Sequence, residues 1–128
     1  MGPDLPSGQV VAELLGGLLD QAKLLNAEGC HAAAASLAGA LLEAALRRLC
    51  RARGLSMPEK ANLARLNGDL AKAGAYDTRT QKRIAALAEI RHHADHGQVG
   101  KVRREDVEEM VKWVRRFAFH HLRKGWSG

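Results

Sequence analysis

TQKRIAALAEIRHHADHG, residues Thr80 to Gly97, sets the class of this chain. Ile84, Leu87, Ile90 and Ala94 recur at spacings of three and four, the period of a helix with one buried face. The last turn gathers Arg91, His92, His93, Asp95 and His96. Gly97 follows, a residue that readily takes the left-handed conformation closing a helix. Three of the six histidines of the chain stand here beside an arginine and a carboxylate, which is more polar chemistry than a helix needs in order to stop. On an ideal helix, at about 100° and 1.5 Å per residue, His92 and His96 share a face, as do Arg91 and Asp95. Arg91 and His96, five apart, diverge by roughly 140° and about 7.5 Å of rise. Arg91 then borders the apolar face while His96 points away from it. A straight helix does not join the two; a distorted last turn does, or a second copy facing it across a dimer axis.

The remaining sequence uses the same helical vocabulary. Its 128 residues predict one domain, 1–128, with a core over about 9–122. Hydrophobic residues make up 46% but aromatic ones only 4%, with leucine and alanine dominant, the composition of helices rather than sheets. The longest apolar stretch, Ala32 to Leu42, is interrupted by Ser36 and Gly39 and is too short to span a bilayer, so no membrane role is expected. Asp4 and two prolines precede the first apolar run without a basic residue, unlike a signal peptide, and Cys30 and Cys50 read as reduced thiols of a cytoplasmic protein. On one helix those cysteines stand about 30 Å apart and cannot bridge, and both read as packing residues. The net charge of +6 is uneven: residues 1–40 hold one lysine against four acids, whereas 101–128 carry a net +4. A basic tilt of this kind permits a nucleic-acid partner without requiring one.

In chain order, Met1–Pro6 reads as a loose leader and Ser7 as an N-cap. Val10, Val11, Leu14, Leu15, Leu18, Leu19, Ala22 and Leu25 then form a paired stripe, with Gly16-Gly17 predicting close approach of a neighbouring helix. A second helix runs from about His31 to Arg53, with Glu43 and Arg47 placed as a helical ion pair. Arg47 and Arg51 fall in its basic last turns, which suit the helix dipole and also form a candidate phosphate-binding patch. Ser56-Met57-Pro58-Glu59 fits a capping box for a short third helix through Leu63, Leu66 and Leu70. Asp77 or Thr78 caps the fourth. After Gln98-Val99-Gly100, the fifth helix buries Val107, Met110, Val111, Val114, Phe117, Ala118 and Leu122, with acids first and bases last. Arg103 and Arg104 at its start are further candidate phosphate contacts. Trp113 falls one residue off the stripe, at a core edge or a subunit interface. His120 and His121 read as surface residues. The result is an all-α antiparallel bundle of four to five helices.

Arg91-His92-His93-Ala94-Asp95-His96, ahead of Gly97, resembles the R-polar-x-x-x-H signature of the HEPN superfamily. The long second helix SLAGALLEAALRRLCRARGL and the order long, long, short, motif-bearing and amphipathic extend the resemblance over roughly residues 9 to 122. Two other pairs with this spacing, Arg115–His120 and Arg116–His121, lie amid Phe117 and Phe119 without a glycine stop. The residue after the arginine, often asparagine in the family, is here His92. The resemblance implies a metal-independent ribonuclease that needs no cofactor and occurs in toxin–antitoxin, defence and RNA-processing systems. It implies catalysis by Arg91, holding the phosphate, and His96, the acid–base group, with His92 and Asp95 in support. It also implies a homodimer, and a nucleotidyltransferase or antitoxin as possible partner protein. Two other readings stay open. The cluster also suits plain capping of carbonyls and charge pairing in a non-catalytic HEPN-like interaction module. His92, His96 and Asp95 also suit zinc, although the sequence offers no obvious third and fourth Cys or His ligand.

Overall fold

The computed structural model describes residues 7–124, and among these every regular element is helical. The elements are α1 (Gly8–Ala27), α2 (His31–Ala52), α3 (Leu63–Lys72), α4 (Thr78–Asp95), a single 3-10 turn (Val99–Lys101) and α5 (Arg104–Lys124). The leader expected over Met1–Pro6 lies outside the described residues. None of the described helices is long and apolar enough to cross a membrane.

Local chemistry explains the boundaries. Ser7 Oγ accepts from the Val10 amide at 3.1 Å and Asp77 from the Thr80 amide at 2.9 Å, each satisfying an otherwise unpaired first-turn donor. The Thr80 hydrogen bond holds the Asp77 carboxyl below the usual aspartate range. The capping box read at Ser56–Glu59 does not form. The chain makes a turn there, with the Ala61 amide on the Pro58 carbonyl, and Asn62 caps α3 by accepting from the Arg65 amide at 2.8 Å. α4 closes with paired bonds from Gln98 N to His93 O and from Gly97 N to Ala94 O, the Schellman arrangement, with Gly97 at φ 72°. The same pair of bonds, built around Gly29, Gly54 and Gly74, ends α1, α2 and α3.

α2 occupies the centre and packs against all four other α-helices. Leu42, Leu46 and Leu49 of α2 meet Leu19 of α1, Leu66 and Leu70 of α3, Ile84 and Leu87 of α4, and Met110, Val114 and Leu122 of α5 in one buried cluster. Burying a side chain of this size contributes about 1.5–3 kcal/mol, and that sum holds the bundle. Two buried asparagines join the elements. Asn26 donates to the Arg104 carbonyl at 3.1 Å and its Oδ1 lies 2.5 Å from His31 Nδ1. Asn67 donates to the Gln81 carbonyl at 2.9 Å and accepts from the Tyr76 hydroxyl at 2.7 Å.

Three outer features differ from expectation. Only half of the α1 stripe is used: Leu15, Leu19 and Ala22 are buried, whereas Val10, Leu14 and Leu18 stay 40–61% exposed because α2 and α5 cover one side only. Gly17 faces open space, and Gly16 meets only the Arg115 and Phe119 side-chain ends, so no helix backbone approaches either glycine. Cys50 packs in the core as expected, but Cys30 is exposed at the start of α2.

His120 is exposed, but His121 is half-buried, its ring 4.4 Å from Phe117 and 6.0 Å from Tyr76. Trp113 stacks on the same Phe117 at 5.1 Å, at the core edge. Burial, and then the His120 and Arg53 charges, push the His121 pKa from 6.5 down to about 4. Between those two values the unfolded chain binds the proton and the folded chain does not. The contribution is therefore complete above about pH 6.5 and is lost as pH falls toward 4. At full strength it is about 3 kcal/mol, and about 1–2 kcal/mol once solvent screening of a half-buried ring is allowed for. Urea unfolding at about pH 7 and pH 4.5 checks this: His121→Phe should lose about 1–2 kcal/mol less on acidification than the parent. An equal loss in both proteins would contradict it.

Candidate functional site

Ser36, Gly39 and Glu43 of α2, spaced three and four apart, meet Arg91 and Asp95 of α4. Gly39 lets α4 come close. A Cβ there would sit 2.8, 2.6 and 2.5 Å from Arg91 Cβ, Cγ and Cδ, so the arginine stem lies directly on the glycine backbone. The guanidinium then reaches two carboxylates. Arg91 Nη1 donates to Glu43 Oε1 at 2.8 Å and Nε donates to Asp95 Oδ2 at 3.2 Å. Asp95 Oδ1 also accepts from Ser36 Oγ at 2.5 Å.

Glu43 is the hub of this arrangement. Its second oxygen accepts from Arg47 Nε at 3.3 Å, and Arg47 Nη2 donates to the Ala61 carbonyl. One relay thus runs from Arg91 through Glu43 and Arg47 to the residue before the α3 cap. Beside it lies an open groove of about 340 Å³ lined by Glu43, Asn62, Leu63, Ala64, Ala88, Arg91, His92 and Asp95. Arg91 is among the residues that line this groove, and its Nη2 donates to no described residue.

His92 is exposed, and its ring centroid lies 4.2 Å from that of His96, which is also exposed. The helical geometry read from spacing holds here: Arg91 pairs with Asp95, and His92 adjoins His96. No hydrogen bond joins Arg91 to His96 within the chain; His92 stands between them, lining the groove with one and abutting the other. His93 turns aside, its Nδ1 2.6 Å from Gln98 Oε1 across the helix end. Among the described residues no group of three or more His, Cys, Asp or Glu gathers as a metal site.

Of the other expected phosphate contacts, Arg47 and Arg51 line a separate pocket beside Met57 and Glu59, and Arg103 and Arg104 lie on another element. Arg47 is half-buried and directed onto Glu43 and the Ala61 carbonyl, which makes it a strut between α2 and the segment before α3 rather than a free cation. Arg51 is exposed near the end of α2. Arg103 and Arg104 are exposed at the start of α5, Arg103 with Glu105 at 3.8 Å, and none of these three lines the groove. Sequence reasoning passed over Ser36, Gly39 and Asn62, and saw Glu43 only as the partner of Arg47. The signal for the first two was their place, with Glu43, on one polar and small-residue stripe of a leucine–alanine helix.

A helical bundle with an arginine–histidine cluster closing its fourth helix defines a narrow class of domains. The family model described as HEPN domain matches residues 17–119, and the chain belongs to the HEPN family. Comparison with curated proteins and with solved structures returns no match.

Proposed function

We propose that this protein is a metal-independent endoribonuclease of the cytoplasm, of the type found in toxin–antitoxin and defence systems, and that it acts as a homodimer with the α4 groove as its active site. The observation that supports this reading most is that two imidazoles abut at 4.2 Å beside a guanidinium with a free amino group on an open groove. Cleavage of this kind uses the ribose 2′-hydroxyl as nucleophile. One imidazole removes its proton and another protonates the departing 5′-oxygen. His96 is the principal acid–base group and His92 assists it. Arg91 Nη2 binds a phosphate oxygen and stabilises the charge that develops on phosphorus. Asp95 and Glu43 hold the guanidinium in plane so that this edge faces out. Exposed Ala85 and Ala86 on α4 leave room for a facing α4, which would add a second set of these groups to the same cleft.

The products test the chemistry. RNA incubated with the protein in chelator should yield fragments with 2′,3′-cyclic phosphate and free 5′-hydroxyl ends, and a 2′-deoxy substitution at the cut should block it. Cleavage indifferent to that 2′-hydroxyl would overturn the reading.

A second reading is supported by a separate observation. The exposed row Val10, Leu14 and Leu18 on α1 offers an apolar surface for another protein, as a non-catalytic HEPN-like interaction module requires. A nucleotidyltransferase or an antitoxin is the partner that reading calls for. The two carboxylates on Arg91 then serve to staple α4 to α2.

A further inference from the structure

Three histidines close α4, and the helix end occupies the ring nitrogens of one of them. His93 Nδ1 lies 2.6 Å from Gln98 Oε1. His92 and His96 make no hydrogen bond to any described residue, and both are exposed. They stand one turn apart on one face, with ring centroids 4.2 Å apart and ring planes inclined at 44°. Two imidazoles in this relation are a ready chelate. At metal–nitrogen distances of about 2.0–2.1 Å and a tetrahedral angle, two rings sharing one ion have centroids about 5 Å apart. The observed 4.2 Å opens to that by about 1 Å, within reach of two exposed side chains. The surroundings accept a cation. The C-terminal end of a helix favours positive charge, and the neighbouring Arg91 is already matched by Glu43 and Asp95. Asp95 stays outside the ligand set, because Oδ1 takes the Ser36 hydroxyl and Oδ2 takes Arg91 Nε. The donors are then two imidazole nitrogens, with the other positions on the ion open to water. Imidazole suits zinc, copper and nickel, whereas magnesium and calcium prefer oxygen.

We propose that His92 and His96 together chelate one divalent transition ion, Zn²⁺, Ni²⁺ or Cu²⁺, and that the bound ion switches the groove off. The chelate stands on the geometry alone; the inhibition rests on the ribonuclease reading. A neutral imidazole has one basic nitrogen, and the other carries the proton. An ion on the basic nitrogen of each ring takes the lone pair with which that ring accepts a proton. Both groups assigned to proton transfer are thereby withdrawn at once, while Arg91 keeps its two carboxylates and the helix end keeps its backbone bonds.

Binding is measured first, without RNA. The full chain, free of any affinity tag and stripped of metal, is titrated with Ni²⁺ alone by calorimetry, and one ion should bind per chain. His92→Ala and His96→Ala should each weaken that binding by about 10²-fold, the gain lost when the second ligand no longer shares a scaffold with the first. His120→Ala, which removes an exposed histidine of α5, should bind as the parent does. Without metal, His92→Ala and His96→Ala should unfold at the parental temperature, so that lost binding is not lost structure. Equal affinity in the parent and both of these variants, or no binding by the parent, would overturn the chelate. Cleavage is measured second. Ni²⁺ should arrest it with the midpoint of the binding curve, excess chelator should restore it, and the same concentration of Mg²⁺ should leave it unchanged. Undiminished cleavage by Ni²⁺-saturated protein would overturn the inhibition and leave the ribonuclease reading standing. A parent chain that binds Ni²⁺ through both histidines but cleaves no RNA, with or without metal, would overturn the ribonuclease reading and the inhibition together, and leave the chelate.

Discussion

His96→Ala should lower RNA cleavage by about 10²- to 10⁴-fold, the usual contribution of a positioned acid–base group, while leaving thermal unfolding where it was. The separation of the two effects follows from where the residue sits. His96 follows the last residue of α4, with its side chain exposed and touching the His92 ring. Its contribution to closing the helix is made by the backbone, through the amide of His96 on the His92 carbonyl and those of Gly97 and Gln98 behind it. Removing the imidazole leaves those bonds in place. His92→Ala should also reduce the rate, and the double variant should fall by less than the product of the single losses, because groups that act on one proton-transfer sequence are not additive. Activity assays paired with unfolding curves check both. Unchanged cleavage by His96→Ala would remove the acid–base role.

Gly39→Ala should destabilise the fold by about 1–3 kcal/mol, against the sign that helix propensity alone gives. Alanine in a helix interior is ordinarily better than glycine by roughly 0.5–1 kcal/mol. At Gly39 the added methyl would stand 2.5–2.8 Å from three carbons of Arg91, one of them its Cβ, so turning the far end of the side chain does not relieve the clash. Either α4 moves away from α2, opening the core around Leu42 and Leu87, or the guanidinium leaves Glu43. In either case the edge that faces the groove is displaced, and cleavage should fall at least tenfold, since small misplacements at a reacting centre are costly. Gly17→Ala is the control. With nothing within 4 Å of its added methyl, it should stabilise by about 0.5–1 kcal/mol. Chemical denaturation of the two variants against the parent measures the contrast, and a Gly39→Ala protein as stable as the parent would contradict the close α2–α4 approach.

The helices were legible because each carries its own punctuation. A glycine at the left-handed position ends α1, α2, α3 and α4, and the apolar periods between those glycines have one reading. α3 began later than expected because Ser56-Met57-Pro58-Glu59 satisfies a sequence rule that Asn62 satisfies in space. The half of the site that lies on α4 was also legible, since the Arg91–Asp95 and His92–His96 relations follow from helical geometry alone. The other half was not. Which face of α2 meets Arg91 depends on how two helices are rotated against each other, and no spacing within either one fixes that. Glu43 has Arg47 one turn away, a sufficient local partner, which hid its longer reach to α4. Arg47, Arg51, Arg103 and Arg104 look alike as charges on a string. Only packing separates Arg47, turned onto Glu43 and the Ala61 carbonyl, from the three in solvent.

The most direct measurement is cleavage of a labelled RNA in excess chelator by three proteins purified identically, the parent chain, His96→Ala and Arg91→Ala, each shown by its unfolding curve to be folded. Cleavage by the parent that vanishes in both variants is the expected result. The same background from all three would mean that Arg91 and His96 do not act together on RNA, and that their cluster only fastens one helix to another.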